Sequence, residues 1–342
     1  MALTHKPDDG FCLFAAETLQ ELLRALVQEI PGVRQAEDIE YIHRMRVASR
    51  RLRTSLTLFA EGLPGKKVAE WQKQVRRITR ALGAARDTDV QIDFLQQYQQ
   101  TLPEKRERVG IIRLLLRLRQ QRADLQRRVL ASLERLEETQ IISEMEGSLR
   151  QILVRARLAQ TVDRSPYLYE QAYMRVALRL EEMLAYEPYI RQPECITELH
   201  AMRIAAKRLR YTMQIFAAIY PDELQNALQA AKAVQTLLGD IHDSDVWETS
   251  LAEFLEDERK RTERYYGHAR TFTRLLPGLH ALREDRRQQR AQLYQEFLAY
   301  WKRLRKDNTW EALREELRAQ VPEKESVAVE ESIPSPTEPV QG

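Results

Sequence analysis

The sequence carries the same basic segment twice. Residues 43–59 read HRMRVASRRLRTSLTLF and residues 200–216 read HAMRIAAKRLRYTMQIF, with eight identities in seventeen positions. Further along, LGAARDTDV at 82–90 corresponds to LGDIHDSDV at 238–246. Because both matches recur in the same order and at nearly the same spacing, the sequence predicts a tandem internal duplication with a period of about 157 residues.

Each half of the chain shows the same succession of helical patterns. The 342 residues include only 11 glycines and 13 prolines, which most often interrupt helices, while Leu, Ala, Arg, Glu and Gln are abundant. Alternation of apolar and polar residues nowhere extends far enough to indicate a strand. These features predict an all-α fold made of two pseudo-symmetric antiparallel helical bundles that arise from the duplication.

Turn-forming residues and changes in composition divide the chain into five predicted parts. The last of them is acidic and rich in Pro and Ser, which is typical of disorder. The parts are a flexible N-terminus at 1–10, a first helical-bundle repeat at 11–160, a linker at 161–167, a second repeat at 168–315 and a disordered acidic tail at 321–342.

The LG pair of each half is expected to end a helix. Glycine commonly follows the last helical residue, so the third helix of each half should stop at Gly83 or Gly239. Four aspartates follow these glycines, and they would cap the next helix, hold arginines in ion pairs or bind a divalent metal: Asp87, Asp89, Asp243 and Asp245.

Four cations of each repeated segment share one side of their predicted helix, at 100° per residue. They are His43, Arg46, Arg50 and Arg53 in the first segment, and His200, Arg203, Lys207 and Arg210 in the second. Like charges three or four residues apart repel each other, and neither segment contains an acidic residue. The charge must therefore be balanced by a neighbouring acidic helix, by solvent on an exposed face, or by a ligand with closely spaced negative charges.

The third helix of each half adds cations unequally. Lys73, Arg77 and Arg80 share one side of the first of these helices with Arg76, whereas Lys232 stands alone in the second half, at the place of Arg76. Gln229 corresponds to Lys73 and Thr236 corresponds to Arg80. A ligand that contacts both helices is therefore expected to bind the second half more weakly.

The histidine at the start of each cation row has two readings. It can gain a proton near neutral pH and donate to an anion, or it can be a structural residue at a helix start. Neither His43 nor His200 has a second His or Cys at ligand spacing, so no metal site and no cofactor are expected.

Cysteine content indicates the compartment of the protein, whereas the net charge says little about its partner. The net charge is only +3, although 43 of the 54 basic residues are arginines, which suit phosphate and carboxylate groups. Cys12 and Cys195 form no pair typical of a disulfide framework, and no apolar run approaches a membrane span. The sequence is therefore expected to belong to a cytoplasmic protein without a membrane partner.

In these residues the chain resembles the CHAD domain, the conserved histidine α-helical domain. The resemblance rests on the doubled His-x-Met-Arg-[Val/Ile]-Ala-x-[Arg/Lys]-Arg-Leu-Arg and the doubled Leu-Gly-x₃-Asp-x-Asp-Val, and it spans roughly 10–310. It implies two four-helix bundles around a basic groove or pore that binds inorganic polyphosphate, and an association with polyphosphate granules. The implied polyphosphate-binding residues are His43, Arg46, Arg50, Arg53, His200, Arg203, Lys207 and Arg210, with Lys73, Arg77, Arg80 and Lys232 as additions.

Two other functions are compatible with basic helices. A nucleic-acid binder would add exposed aromatic residues for base stacking, and Tyr211 is the one aromatic beside a cation row. An accessory role in triphosphate or polyphosphate processing has weaker support, because EDERK at 256–260 matches an ExExK motif only within a charge-rich helical stretch. No Walker loop or nucleophile elbow is present, so no catalytic residues are expected.

Overall fold

The computed structural model describes residues 6–36, 38–220 and 222–321, so most of the predicted acidic tail lies outside the described residues. The prediction of an all-α fold is confirmed, and no strand occurs in these ranges. The α-helices are α1 (Asp9–Val27), α2 (Ile30–Gln35), α3 (Ile39–Leu58), α4 (Gly65–Thr101), α5 (Lys105–Glu138), α6 (Ile141–Leu158), α7 (Pro166–Leu184), α8 (Ile196–Phe216), α9 (Gln225–Tyr266), α10 (Leu276–Lys306) and α11 (Thr309–Ala319).

The helices of the two halves follow in the same order. Helices α1, α3, α4, α5 and α6 of the first half correspond in order to α7, α8, α9, α10 and α11 of the second. The predicted linker at 161–167 lies between α6 and α7 and includes the first residues of α7. Of the helices in the described part of the chain, none is both long enough and apolar enough to cross a membrane.

The main hydrophobic core combines helices from both halves. Phe59 and Phe216, the last residues of the two repeated segments, pack edge to face with ring centroids 6.0 Å apart. Phe14 of α1 lies 5.8 Å from Phe59 and 6.1 Å from Phe216. The three rings are nearly or completely buried, so the two halves share one core.

A second, smaller core lies where the four long helices extend beyond the first. Trp247 is buried there together with four leucines, which are Leu95 of α4, Leu115 of α5, Leu251 of α9 and Leu279 of α10. The described chain therefore has two hydrophobic cores that both draw on both halves, although most helix packing is between helices of the same half.

Helices α4 and α9 do not end at the LG glycines, so this expectation was wrong. Gly83 and Gly239 lie in the middle of continuous helices of 37 and 42 residues. A Cβ at Gly239 would lie 3.4 Å from Nε of Arg203, and one at Gly83 would lie 3.9 Å from Nε of Arg46. Both distances are ordinary van der Waals contacts, so a methyl group would fit at either position. Packing of the long helices outweighs the low helix propensity of glycine here.

Helices α5 and α10 cross at two glycines. A Cβ on Gly278 would lie 1.7 Å from the carbonyl oxygen of Glu107, and one on Gly110 would lie 2.2 Å from the carbonyl oxygen of Leu275. Each glycine thus packs on the backbone of the other helix, in the same way from both sides. This contact joins the two halves beside the second core.

Replacement of Gly278 by Ala is expected to lower the thermal stability of the protein. The added methyl group must push α5 and α10 apart, and overpacking of this kind costs about 1–3 kcal/mol. The matched control is Gly147→Ala in α6, where the new Cβ meets nothing within 4 Å. That variant should gain stability from helix propensity, and thermal unfolding by circular dichroism separates the two. Equal gains in both variants would contradict the close crossing.

Candidate functional site

The two repeated segments form helices that pack against each other and bring their cations together. Met45 and Leu52 of α3 and Met202 and Leu209 of α8 are fully buried in the main core. The two helices are in contact, and basic residues of both helices lie close together beside that contact. We call six of them the central cation cluster: Arg46, Arg50, Arg53, Arg203, Lys207 and Arg210.

Tyr211 joins the two helices within this cluster. The guanidinium carbon of Arg50 lies 5.0 Å from the centre of the Tyr211 ring, and that of Arg210 lies 4.8 Å from it. Both distances are typical of cation–π contacts. One buried aromatic ring therefore holds an arginine from each half of the chain.

Burial and mutual repulsion shift the ionisation of the cluster. Burial, followed by the charges of Arg50 and Arg203, lowers the pKa of Lys207 to about 7. Burial also lowers the pKa of Arg50 to about 10; Arg46 and Arg210 lower it further, while Tyr211 opposes them. Positive charge in the cluster is therefore energetically unfavourable while no anion is bound.

Few carboxylates among the described residues compensate the positive charge of the cluster. Within the described part of the chain, Arg46 is the one member of the cluster with an ion pair: its guanidinium lies 3.1 Å from a carboxylate oxygen of Asp87. Asp243 interacts electrostatically with Arg203, without a close ion pair. Asp87 thus serves the arginine-holding role that was one of its three predicted roles, and it lies inside α4 rather than at a cap.

Buried nitrogen atoms around the cluster lack hydrogen-bond partners in the described part of the chain. They are Nε of Arg46, Arg203 and Arg210, together with Nδ1 of His43, His200 and His242. Buried polar groups are nearly always hydrogen-bonded in folded proteins. A concentration of such atoms on one set of basic residues indicates a place for a ligand with acceptor oxygens.

The second half carries a histidine that sequence reasoning missed. The rings of His200 and His242 lie 3.9 Å apart. Burial lowers the pKa of His242 to about 4, and it also lowers the pKa of His200, with Arg203 and Lys207 adding to both effects. Arg86 takes the place of His242 in the first half, so only the doubled LG motif could have drawn attention to this position.

The cations of α4 and α9 divide into separate environments. Lys73 is exposed and pairs with Glu70, while Arg77 and Lys232 are exposed on their helices. Arg80 is exposed as well, and it lines an open polar cavity with Arg53 and the exposed Arg76. Arg76 was absent from the predicted binding residues although it shares a side with Arg80.

Arginines elsewhere on the long helices are paired with carboxylates. Arg122 lies 2.6 Å from Asp89, and Arg290 lies 2.5 Å from Asp245, at corresponding places in the two halves. Arg117 binds the buried Glu258 in the EDERK stretch, which forms part of helix α9. These arginines are structural, in contrast to the members of the central cation cluster.

Replacement of Lys207 by Met is expected to stabilise the ligand-free protein. The unfolded chain keeps the ordinary lysine pKa, so between about pH 7 and about pH 10 it binds more protons than the folded chain, and wild-type stability rises with pH there. The gain in Tm from Lys207→Met should thus be largest at or below pH 7 and shrink towards pH 10. The exposed Lys232→Met serves as control. A gain independent of pH would contradict the buried charge.

A family model and two relatives match the chain in sequence. The CHAD domain matches residues 17–252, well over half of the chain. Two uncharacterized proteins of Mycobacterium tuberculosis, MT2285 of strain CDC 1551 / Oshkosh and Rv2226 of strain ATCC 25618 / H37Rv, are each 30% identical over 227 residues. The match covers 62% of this chain and 40% of each of those proteins, so the chain spans less than half of their length.

A solved structure shows the same fold. The CHAD domain from the plant Ricinus communis superposes with a TM-score of 0.58 at 22% identity, covering 86% of this chain and 95% of that one. With the sequence match over 17–252, this likeness identifies the chain as a member of the CHAD domain family.

Proposed function

We propose that this chain binds inorganic polyphosphate, without catalysis, on the central cation cluster. The carrying observation is that six basic residues from α3 and α8 converge with one ion pair among the described residues. The histidines that begin the two rows, His43 and His200, extend the binding surface. Association with polyphosphate granules in the cytoplasm would follow from this binding.

The chemistry of the cluster suits a linear phosphate polymer. Each phosphate of the chain carries about one negative charge and several acceptor oxygens, and arginine offers a planar fork of donors to such groups. Charge-assisted hydrogen bonds contribute about 1.5–3 kcal/mol each, so several together give tight binding. Because the attraction is electrostatic, affinity should fall as salt rises, as it does for nucleic-acid binders.

The family supports the same ligand class. CHAD domains are associated with polyphosphate. The unpartnered nitrogens of Arg46, Arg203 and Arg210 match the many acceptor oxygens of such a chain.

The cluster is less suited to nucleic acid. Single-strand binders stack bases on exposed aromatic rings. Tyr211 is buried and is already covered by Arg50 and Arg210. A polymer without bases needs no such ring.

Competition binding tests the proposal. Labelled long-chain polyphosphate, bound to the purified protein, would be challenged with unlabelled polyphosphate, duplex DNA and single-stranded RNA at two salt concentrations. We expect polyphosphate to compete best. Arg50→Glu and Lys207→Glu should each weaken binding by at least about tenfold, because each replaces an attraction by a repulsion.

The control variant is Arg150→Glu, an exposed residue of α6, which carries no member of the cluster. It makes the same change in net charge and should leave affinity nearly unchanged. Equal displacement by nucleic acid, or equal losses in all three variants, would mean that the cluster is a general cationic surface.

A further inference from the structure

A polar cavity lies at one end of the central cation cluster. It is open to solvent, has a volume of about 330 Å³, and is lined by the half-buried Arg53, the exposed Arg76 and Arg80, and Thr57 and Gln72. Arg53 belongs both to this cavity and to the cluster, and its charge acts on Lys207. The cavity is therefore continuous with the surface that we propose for polyphosphate.

Three positive charges meet in this cavity without a carboxylate. In the described part of the chain, none of its three guanidinium groups has an ion pair or a hydrogen-bond acceptor, and the lining includes no acidic residue. The pKa of Arg53 is lowered by burial first and then by Arg76, Arg80 and Arg208. Thr57 and Gln72 donate to backbone carbonyls of α3 and so do not neutralise the arginines.

The other end of the cluster lacks this arrangement. The positions that correspond to Arg53, Arg76 and Arg80 are Arg210, Lys232 and Thr236, and Leu228 replaces Gln72. Three arginines thus share a cavity in the first half, whereas the corresponding positions of the second half hold two cations and a threonine. The asymmetry lies in charge, since α3 and α8 are otherwise alike in length and packing.

The difference in charge between the two ends of the cluster affects how a polyphosphate chain would bind. The two ends of a polyphosphate chain are chemically identical, so a strong end cannot serve to orient the chain. A terminal phosphate differs from an interior one, however, because it has a second ionisation with a pKa near 6, as in a phosphate monoester, and approaches two charges at neutral pH. A cavity with three unpaired arginines matches the group with the higher charge.

We infer that the cavity of Arg53, Arg76 and Arg80 binds a terminal phosphate of the polyphosphate chain, while the rest of the cluster binds interior phosphates. This inference rests on the proposed function. It predicts that one end of a bound chain is held at α3 and α4 and that the chain runs from there towards α8.

Capping of the chain ends tests the inference. Polyphosphate of one defined length would be prepared with free ends and with both ends capped as phosphoramidates of a small neutral amine, which removes the extra charge. We expect the wild-type protein to bind the free-ended chain about tenfold more tightly, equivalent to one lost charge-assisted contact. Arg76→Gln and Arg80→Gln should bind both chains equally, whereas the control Arg150→Gln keeps the wild-type preference.

The outcomes separate the inference from the proposed function. If the wild-type protein binds both chains tightly and equally, polyphosphate binding stands and the terminal site is wrong. If Arg76→Gln and Arg80→Gln keep the preference for free ends, the end is bound elsewhere and the inference is likewise wrong. If neither chain binds, the proposed function fails and the inference fails with it.

Discussion

Two rows of like charges lie against each other in the structure, and the rest of the fold must offset their repulsion. Contact between α3 and α8 places Arg50 and Arg210 on one tyrosine ring. Burial of Lys207, followed by repulsion from Arg50 and Arg203, lowers its pKa to about 7. Repulsion of this kind must be offset by apolar burial, which contributes about 25 cal/mol for each Å² removed from water. The shared core around Phe59 and Phe216, which draws on both halves, supplies that burial at the end of each row.

This arrangement explains why the unusual residues of the repeat are found where they are. Gly83 and Gly239 interrupt neither helix, and they lie beside Arg46 and Arg203, the first arginine of each row. Asp87 takes one of these arginines, while Asp89 and Asp245 fasten α4 to α5 and α9 to α10. The structural arginines are thus paired with carboxylates, whereas the unpaired cations of the cluster are not. The proposed anionic ligand would offset the repulsion among these unpaired cations.

Sequence reasoning was accurate where it relied on periodicity and less so where it relied on local signals. Helical patterning predicted the all-α fold and the sides of α3 and α8, because buried and exposed residues alternate with the helical period. Gly83 was misread as a helix end, since glycine is also tolerated inside a helix whose packing outweighs its low helix propensity. Arg76 and His242 were missed because each acts with residues of another helix, α3 for Arg76 and α8 for His242. The sequence of a single segment does not show such contacts.

Proton uptake on binding tests the central claim most directly. At pH 8 Lys207 of the free protein is largely neutral, and a bound phosphate chain should restore its charge. Calorimetric titration with long-chain polyphosphate, in two buffers of different ionisation enthalpy, measures the protons taken up. The account predicts uptake approaching about one proton for each occupied cluster, and a marked reduction in Lys207→Met. Tight binding without proton uptake would show that the ligand does not reach the buried charge between the two helices.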